Sequence, residues 1–345
     1  MSIYKLCEGC KHLLLGNKCE LFREDPEGKF LRESILTEGA CHFKEKNTFN
    51  EEEIPVDRFI LTEDLVRYAI KLAGVVAKEG FDAVIGAARS GLLAATPIAT
   101  LLHLPLFSIS PVSGELLALG SGFRLGDAGN SVPKRSLFVD DTISNGGTIK
   151  HIYRILKEHN IVPAASAAIF ASPHVINLVT YTAALYRQPH YLEWCFVNTF
   201  WAQKMAYDFD GILCEDPTVY DTDPAYKEFI LHAKALYLPK MFPINIISAR
   251  CEYTRPGSKR WLKKHNIKAD NLILWSGDSE ARWIKKETVA EWKAAQILKY
   301  KDAWDTRIFA ESDPYQAEII SNIAKIAVLC PAARKVFNQH LHRFD

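Results

Sequence analysis

No apolar run in this 345-residue chain approaches the roughly 20 residues that a membrane-spanning helix needs. The best stretch, Ala83 to Leu102, is interrupted by Arg89 and Pro97. The N-terminus lacks the apolar core of a signal peptide, so a cytoplasmic setting is expected. Charge of one sign is also lacking: 42 Lys and Arg against 41 Asp and Glu leave a net charge of +1. Such a balance supplies no field to draw in nucleic acid or a membrane surface, and neither is expected as a partner. No internal repeat or low-complexity segment is visible, which argues against a repeat architecture.

What is present is ordinary globular composition, 48% apolar and 24% charged. Single cores stop growing at roughly 250–300 residues, so two domains are expected. Cysteine is unevenly spread: four of the eight form Cys7-x2-Cys10-x8-Cys19-x21-Cys41. In a reducing compartment, clustered thiols suggest metal rather than disulfides. A CxxC pair with two further thiols can build a tetrahedral thiolate cage, with His12 and His42 as substitute ligands. The segment has few large apolar residues and would need such a staple to fold. Structural zinc is the expected occupant, with an iron–sulfur cluster or unliganded thiols as the alternatives, because spacing alone does not separate them.

The most informative stretch is Asp140-Asp141-Thr142-Ile143-Ser144-Asn145-Gly146-Gly147-Thr148. It follows the apolar run Leu137–Val139 and precedes Ile149, Ile152, Tyr153 and Leu156, spaced as one helix face. An acid pair and a polar glycine turn thus sit where a strand hands over to a helix. Open α/β folds bind ligands there. Gly146 and Gly147 allow close backbone approach, and free N–H groups at a helix start favour a phosphate. Ser144, Asn145 and Thr148 can add hydroxyl and amide hydrogen bonds. Asp140 and Asp141 would repel that phosphate, so they should face vicinal hydroxyls or a magnesium ion. An Asx-turn that caps a helix without any ligand is the bland alternative.

This loop resembles the signature of type I phosphoribosyltransferases, which bind phosphoribosyl pyrophosphate (PRPP). Asn145 stands where that family usually has Thr, leaving one fewer hydroxyl. Upstream, Phe81 to Ile85 reads as a strand, followed by Ala88-Arg89-Ser90-Gly91 and an apolar helix. The resemblance implies that this second turn holds pyrophosphate. It also implies that Arg124, in the glycine-laced stretch 111–130, belongs to a mobile lid that excludes water. Strands near Ala165–Phe170 and His190–Phe196 are expected to complete a parallel sheet.

From Lys204 a second series begins. Met205–Tyr207 reads as a strand ending in Asp208-Phe209-Asp210-Gly211. Two carboxylates so placed can divide labour, one attacking phosphorus and the other moving a proton. The pattern resembles the haloacid dehalogenase-like (HAD) phosphohydrolases. By that resemblance Ser248 binds the phosphoryl group and Lys293 neutralises charge, with Lys286 as its rival. Glu311 or Asp313 completes a Mg²⁺ site with Asp208 and the Asp210 carbonyl. Gly277-Asp278-Ser279 imitates the acidic motif but precedes the lysine helix. Only 36 residues separate Gly211 from Ser248 and 44 separate Ser248 from Lys293, too few for a large cap domain.

The expected architecture is α/β: two Rossmann-like parallel-sheet domains preceded by a small metal-stapled segment. The divisions are 1–50 for the four-cysteine segment, 51–203 for the phosphoribosyltransferase-like domain and 204–345 for the HAD-like domain. The expected activity is bifunctional, with PRPP, a nucleobase-like acceptor and a phosphomonoester as small-molecule partners. A PRPP or nucleotide sensor regulating the phosphatase is the alternative, and a phosphatase acting on nucleic-acid ends is a third reading. A homo-oligomer is permitted but not specified.

Overall fold

A computed structural model of the chain describes residues 13–14, 18–19, 52–54, 58–120, 133–186, 191–219, 224–277 and 286–338. Cys7, Cys10, Cys41, Arg124, Asp278 and Ser279 lie outside the described residues, and Cys19 is described only in its backbone. The chain divides into two compact α/β units. The first takes residues 1–54 and 63–188, the second 55–62 and 189–345. Segment 189–203, expected in the first domain, therefore falls in the second.

Near the N-terminus β1 (Leu13–Leu14) and β2 (Lys18–Cys19) form an antiparallel pair. β3 (Glu52–Ile54) belongs to the first unit and β4 (Phe59–Ile60) to the second. α1 spans Thr62–Val76, with Glu63 and Asp64 in its first turn, where acids favour the positive end of the helix. It buries Leu65, Tyr68, Ala69, Leu72, Ala73 and Val76. The spacing of Leu65, Val66, Ala69, Ile70, Ala73 and Val76 predicts one helix face; Val66 and Ile70 are exposed, and Tyr68 and Leu72 are buried instead.

The first unit continues with β5 (Ala83–Ala87), α2 (Gly91–Leu102), β6 (Leu106–Ile109), β7 (Leu116–Gly120) and β8 (Ser136–Ile143). α3 (Gly147–Glu158), β9 (Ala165–Ala171) and β10 (Tyr181–Tyr186) complete it. Its sheet runs β3-β10-β9-β8-β5-β6-β7, parallel throughout except for antiparallel β7. β9 is almost continuously apolar, as a strand covered on both faces must be, and β8 is buried along nearly its whole length although it carries the acid pair. α3 buries Ile149, Ile152, Ile155 and Leu156, each worth roughly 1.5–3 kcal/mol of transfer free energy.

The expected strand at His190–Phe196 does not join this sheet. Tyr181–Tyr186 takes the place beside β9, whereas β11 (Tyr191–Leu192) pairs with β4 in a separate two-stranded sheet. The aromatic run was read as sheet because it is apolar. It is buried, but in the core of the second unit, where Phe196 packs edge-on against Phe59 and Tyr237.

The second unit then adds β12 (Met205–Tyr207), α4 (Pro224–His232), β13 (Ile244–Cys251), α5 (Arg255–Lys264) and β14 (Ala269–Trp275). α6 (Lys286–Tyr300), β15 (Ile308–Ala310), α7 (Pro314–Ala324), β16 (Ala327–Cys330) and β17 (Lys335–Phe337) follow. Its six-stranded sheet runs β14-β13-β12-β15-β16-β17, parallel except for β17. In each sheet successive connections lead outward in opposite directions from one central pair, β5/β8 in the first and β12/β15 in the second. Such a reversal opens a crevice at the carboxyl ends of the strands, where ligands bind.

Candidate functional sites

At the first crevice, β5 ends in Ala88-Arg89-Ser90, turning into α2 at Gly91, and β8 ends in the acid pair. The Ala88–Arg89 peptide is cis. β8 extends through Ile143, so Asp140 and Asp141 lie within the strand and are buried, 8% and 5% exposed. Ser90 Oγ donates to Asp141 Oδ1 at 3.0 Å, joining the two turns. Gly91 is where α2 meets the acids: a Cβ there would stand 2.8 Å from Asp140 Oδ1 and 3.1 Å from the Val139 carbonyl oxygen. Gly91→Ala is therefore expected to cost roughly 1–3 kcal/mol through overpacking, measured by denaturant unfolding.

Burial, and then the adjacent Asp141, push the Asp140 carboxyl well above the usual carboxylate range. A buried pair of this kind favours positive charge or hydroxyl donors beside it, and the Ser90 hydroxyl is one such donor. In the glycine turn, Gly146 adopts φ +76°, a left-handed conformation that requires glycine. Asn145 Oδ1 accepts the Gly147 N–H at 3.0 Å, so the Asx-turn of the bland alternative does form. The Ser144 hydroxyl bonds the Tyr186 hydroxyl at 3.1 Å. Thr142 is half-buried, while Asn145, Gly147, Thr148 and Arg89 are exposed around the turns. A phosphate there would meet the Thr148 hydroxyl and the free end of the Asn145 amide more readily than Ser144.

In the second crevice, a cavity of about 450 Å³ is lined by Asp208, Asp210, Ser248, Lys293, Glu311 and Asp313 together. These are the six residues singled out from the sequence. A larger hollow of about 610 Å³ lies beside α5 and the edge strand β14, away from these carboxylates, and is lined by surface Lys259, Lys263 and Lys268. Chemistry favours the smaller one. Lys293 is 2% exposed and donates to Asp208 Oδ2 and Glu311 Oε2, both at 2.6 Å. Burial alone would lower its pKa, but the two carboxylates win and raise it. Lys286 instead pairs with Asp313, and Asp313 Oδ1 caps α7 by accepting from the Tyr315 and Gln316 N–H groups. Burial pushes Glu311 up to about 7, against the opposing pull of Lys293.

No family model matches the sequence, and no curated protein matches it. Among solved structures, the chain is similar to the purine phosphoribosyltransferase from Pyrococcus horikoshii Ot3, with 22% identity and a TM-score of 0.30. That match covers 38% of this chain and 89% of the other. A Helicobacter pylori xanthine-guanine-hypoxanthine phosphoribosyltransferase is 16% identical, covering 40% of this chain and 92% of its own, with a TM-score of 0.29. Orotate phosphoribosyltransferase from Aeropyrum pernix is 18% identical over 34% of this chain and 70% of its own, with a TM-score of 0.27.

Two residues of the second crevice were not anticipated. Arg250 is wholly buried and grips Asp210 through Nε and Nη2. Its signal was a charged residue inside the apolar strand Ile244–Cys251, which demands a buried partner. Asp216 lies at the cavity's mouth, where partial burial and the charges of Asp210 and Asp208 raise its carboxyl to about 6. Nothing in the sequence distinguished it from a loop acid. A carboxyl raised in the folded state binds its proton more tightly folded than unfolded. Its penalty is absent below the unfolded value near 4 and complete above about 6. Asp216→Asn, without added metal, is thus expected to raise Tm modestly at about pH 8 and to leave it unchanged at about pH 3.

Proposed function

We propose that the first unit binds PRPP and transfers its 5-phosphoribosyl group to a nucleobase-like acceptor, while the second hydrolyses a phosphomonoester through Asp208. The observation that carries the first half is the Ser90–Asp141 bond, which joins two strand-to-helix turns across the β5/β8 reversal point. One turn offers glycines and helix N–H groups to a 5-phosphate; the other offers Arg89 and Ser90 to pyrophosphate. Asp140 and Asp141 face what lies between, the ribose hydroxyls. An acceptor nitrogen bonds to the anomeric carbon, the bond from that carbon to pyrophosphate breaks, and the acceptor sheds a proton. The acid pair, in which burial and then the adjacent Asp141 raise Asp140, fits Mg²⁺ carried in with the substrate.

In the second unit the Asp208 carboxylate attacks phosphorus and the leaving oxygen takes a proton from Asp210. Water then attacks the aspartyl-phosphate, returns a proton to Asp210 and releases orthophosphate. Ser248 and Lys293 hold the phosphoryl oxygens, and Glu311 keeps Lys293 against Asp208. Among the described residues no three His, Cys, Asp or Glu side chains converge as a ready metal cage. Mg²⁺ needs fewer, since it binds through one or two carboxylates and keeps its remaining sites for water and phosphate. Asp208, the Asp210 carbonyl and Glu311 or Asp313 suit it by their hard oxygens, and when bound it neutralises phosphoryl charge.

The test of the first half incubates the protein with PRPP, Mg²⁺ and a panel of purine and pyrimidine bases, measuring pyrophosphate. Base-dependent release is expected. Saturable PRPP binding with no release under any base would favour the sensor reading instead.

A further inference from the structure

Asp210 has unequally occupied oxygens. Oδ1 accepts from Arg250 Nη2 at 2.5 Å, Arg250 Nε at 3.0 Å and the Cys214 thiol at 3.4 Å. Oδ2 only shares the same Nε–H, at 3.1 Å, so the asymmetry comes from Nη2 and the Cys214 thiol. The guanidinium that imposes this asymmetry is itself fixed from three other sides. Nη1 donates to Ser258 Oγ at 3.1 Å, Nη2 approaches Cys214 Sγ at 3.2 Å, and the plane lies 3.7 Å from the centre of the Phe209 ring. Ser258 and Phe209 are in turn fully buried.

A buried guanidinium is an odd choice for stability. Its desolvation opposes folding, and packed apolar residues of similar volume commonly serve as well or better. What the guanidinium uniquely supplies is a rigid fork that sets a carboxylate's rotamer and decides which oxygen is saturated. Asp210 keeps 16% side-chain exposure and lines the same cavity as Asp208, so its carboxyl has access to a ligand.

We propose that Arg250 is a positioning residue for proton transfer in the second site: by saturating Asp210 Oδ1 it leaves Oδ2 as the oxygen that exchanges a proton with substrate and water. The inference rests on reading Asp208 and Asp210 as the nucleophile and proton carrier of a phosphatase. As the ester O–P bond breaks, the proton on Oδ2 passes to the leaving oxygen. As water later attacks phosphorus and the bond to Asp208 breaks, the water's proton returns to Oδ2. Throughout, Oδ1 behaves as the carbonyl-like acceptor held by the fork.

The test uses the full chain and two esters, p-nitrophenyl phosphate, whose leaving group needs little protonation, and glycerol phosphate, whose alkoxide needs it fully. Arg250→Met is expected to lower kcat/KM for glycerol phosphate roughly 10- to 100-fold and that for p-nitrophenyl phosphate about threefold or less. In an Asp210→Asn background, Arg250→Met should then have no further effect, because it acts through the carboxyl already removed. Ser258→Ala, which takes one hydrogen bond from the guanidinium, should shift the same ratio in the same direction by a smaller factor. It keeps the test decisive if Arg250→Met does not fold. Equal losses on both esters, or a full additional loss in the Asp210→Asn background, would overturn the positioning role while leaving the phosphatase reading intact. A wild type with no ester hydrolysis that Asp208→Asn removes would overturn the phosphatase reading itself, and the inference with it.

Discussion

Asp208→Asn is expected to reduce phosphomonoester hydrolysis by about four orders of magnitude or more, with PRPP turnover unaffected. The amide is nearly isosteric, so the Phe209 N–H that donates to Asp208 Oδ1 at 2.7 Å keeps an acceptor and the turn into Asp210 is preserved. What is lost is the anionic oxygen that would bond to phosphorus. The local charge balance also improves. Lys293 now lies between Asp208 and Glu311, and without the first charge it retains one carboxylate partner at 2.6 Å. With Oδ1 kept on the Phe209 N–H, however, the amide NH₂ takes the place of the oxygen that Lys293 meets and sets donor against donor. Some stability is therefore expected to be lost, and a loss of activity far beyond the loss of folded protein is the signature to look for. Phosphate release at wild-type rates from the variant would remove Asp208 from the nucleophile's role.

The second large effect concerns the acid pair of the first unit, where activity and stability should move in opposite directions. Asp140→Asn is expected to slow pyrophosphate release from PRPP by roughly 100- to 1,000-fold, the usual consequence of removing one preorganised electrostatic contact. The same change should raise Tm at neutral pH without ligand. Burial and the Asp141 charge raise the Asp140 carboxyl, so its ionisation opposes folding as pH climbs above the unfolded value near 4. Each kcal/mol relieved is worth about 2–4 °C in a domain of roughly 150–250 residues, the size class of the first unit. The gain should vanish at about pH 3, where both states are protonated. A variant that loses activity and stability together would indicate a structural acid rather than one held ready for a ligand.

Much of the second crevice was legible because its chemistry is concentrated at strand ends. Asp208, Ser248 and Glu311 each close or sit near the end of a short apolar run, and parallel strands bring such ends together. Lys293 is preferred from sequence with Lys286 as its rival, since both fall on the lysine helix. Burial separates them: Lys293 reaches Asp208, while Lys286 is exposed beside Asp313. Arg250 was missed because an arginine in a strand is read as an interruption of the apolar pattern, whereas its fork is a long-range partner to Asp210.

The first crevice was legible in its loops and less so in its strands. The Asp140–Thr148 turn is marked by residue types that only a special backbone requires. Tyr181–Tyr186 has aromatics only at its two ends, with Thr and small Ala residues between, yet it is the segment that joins the sheet. Local hydrophobicity reports burial but not which core does the burying.

The path of the chain carries a practical corollary. Phe59 and Ile60 lie in the second unit with Tyr191 and Phe196, while residues 63–188 belong to the first. An expression fragment beginning at Met205 would leave both flanking pieces behind and uncover the aromatic residues they shield. The portion bearing Asp208 is thus not separable by one cut, and any attempt to shuffle or isolate it must splice 55–62 to 189 onward.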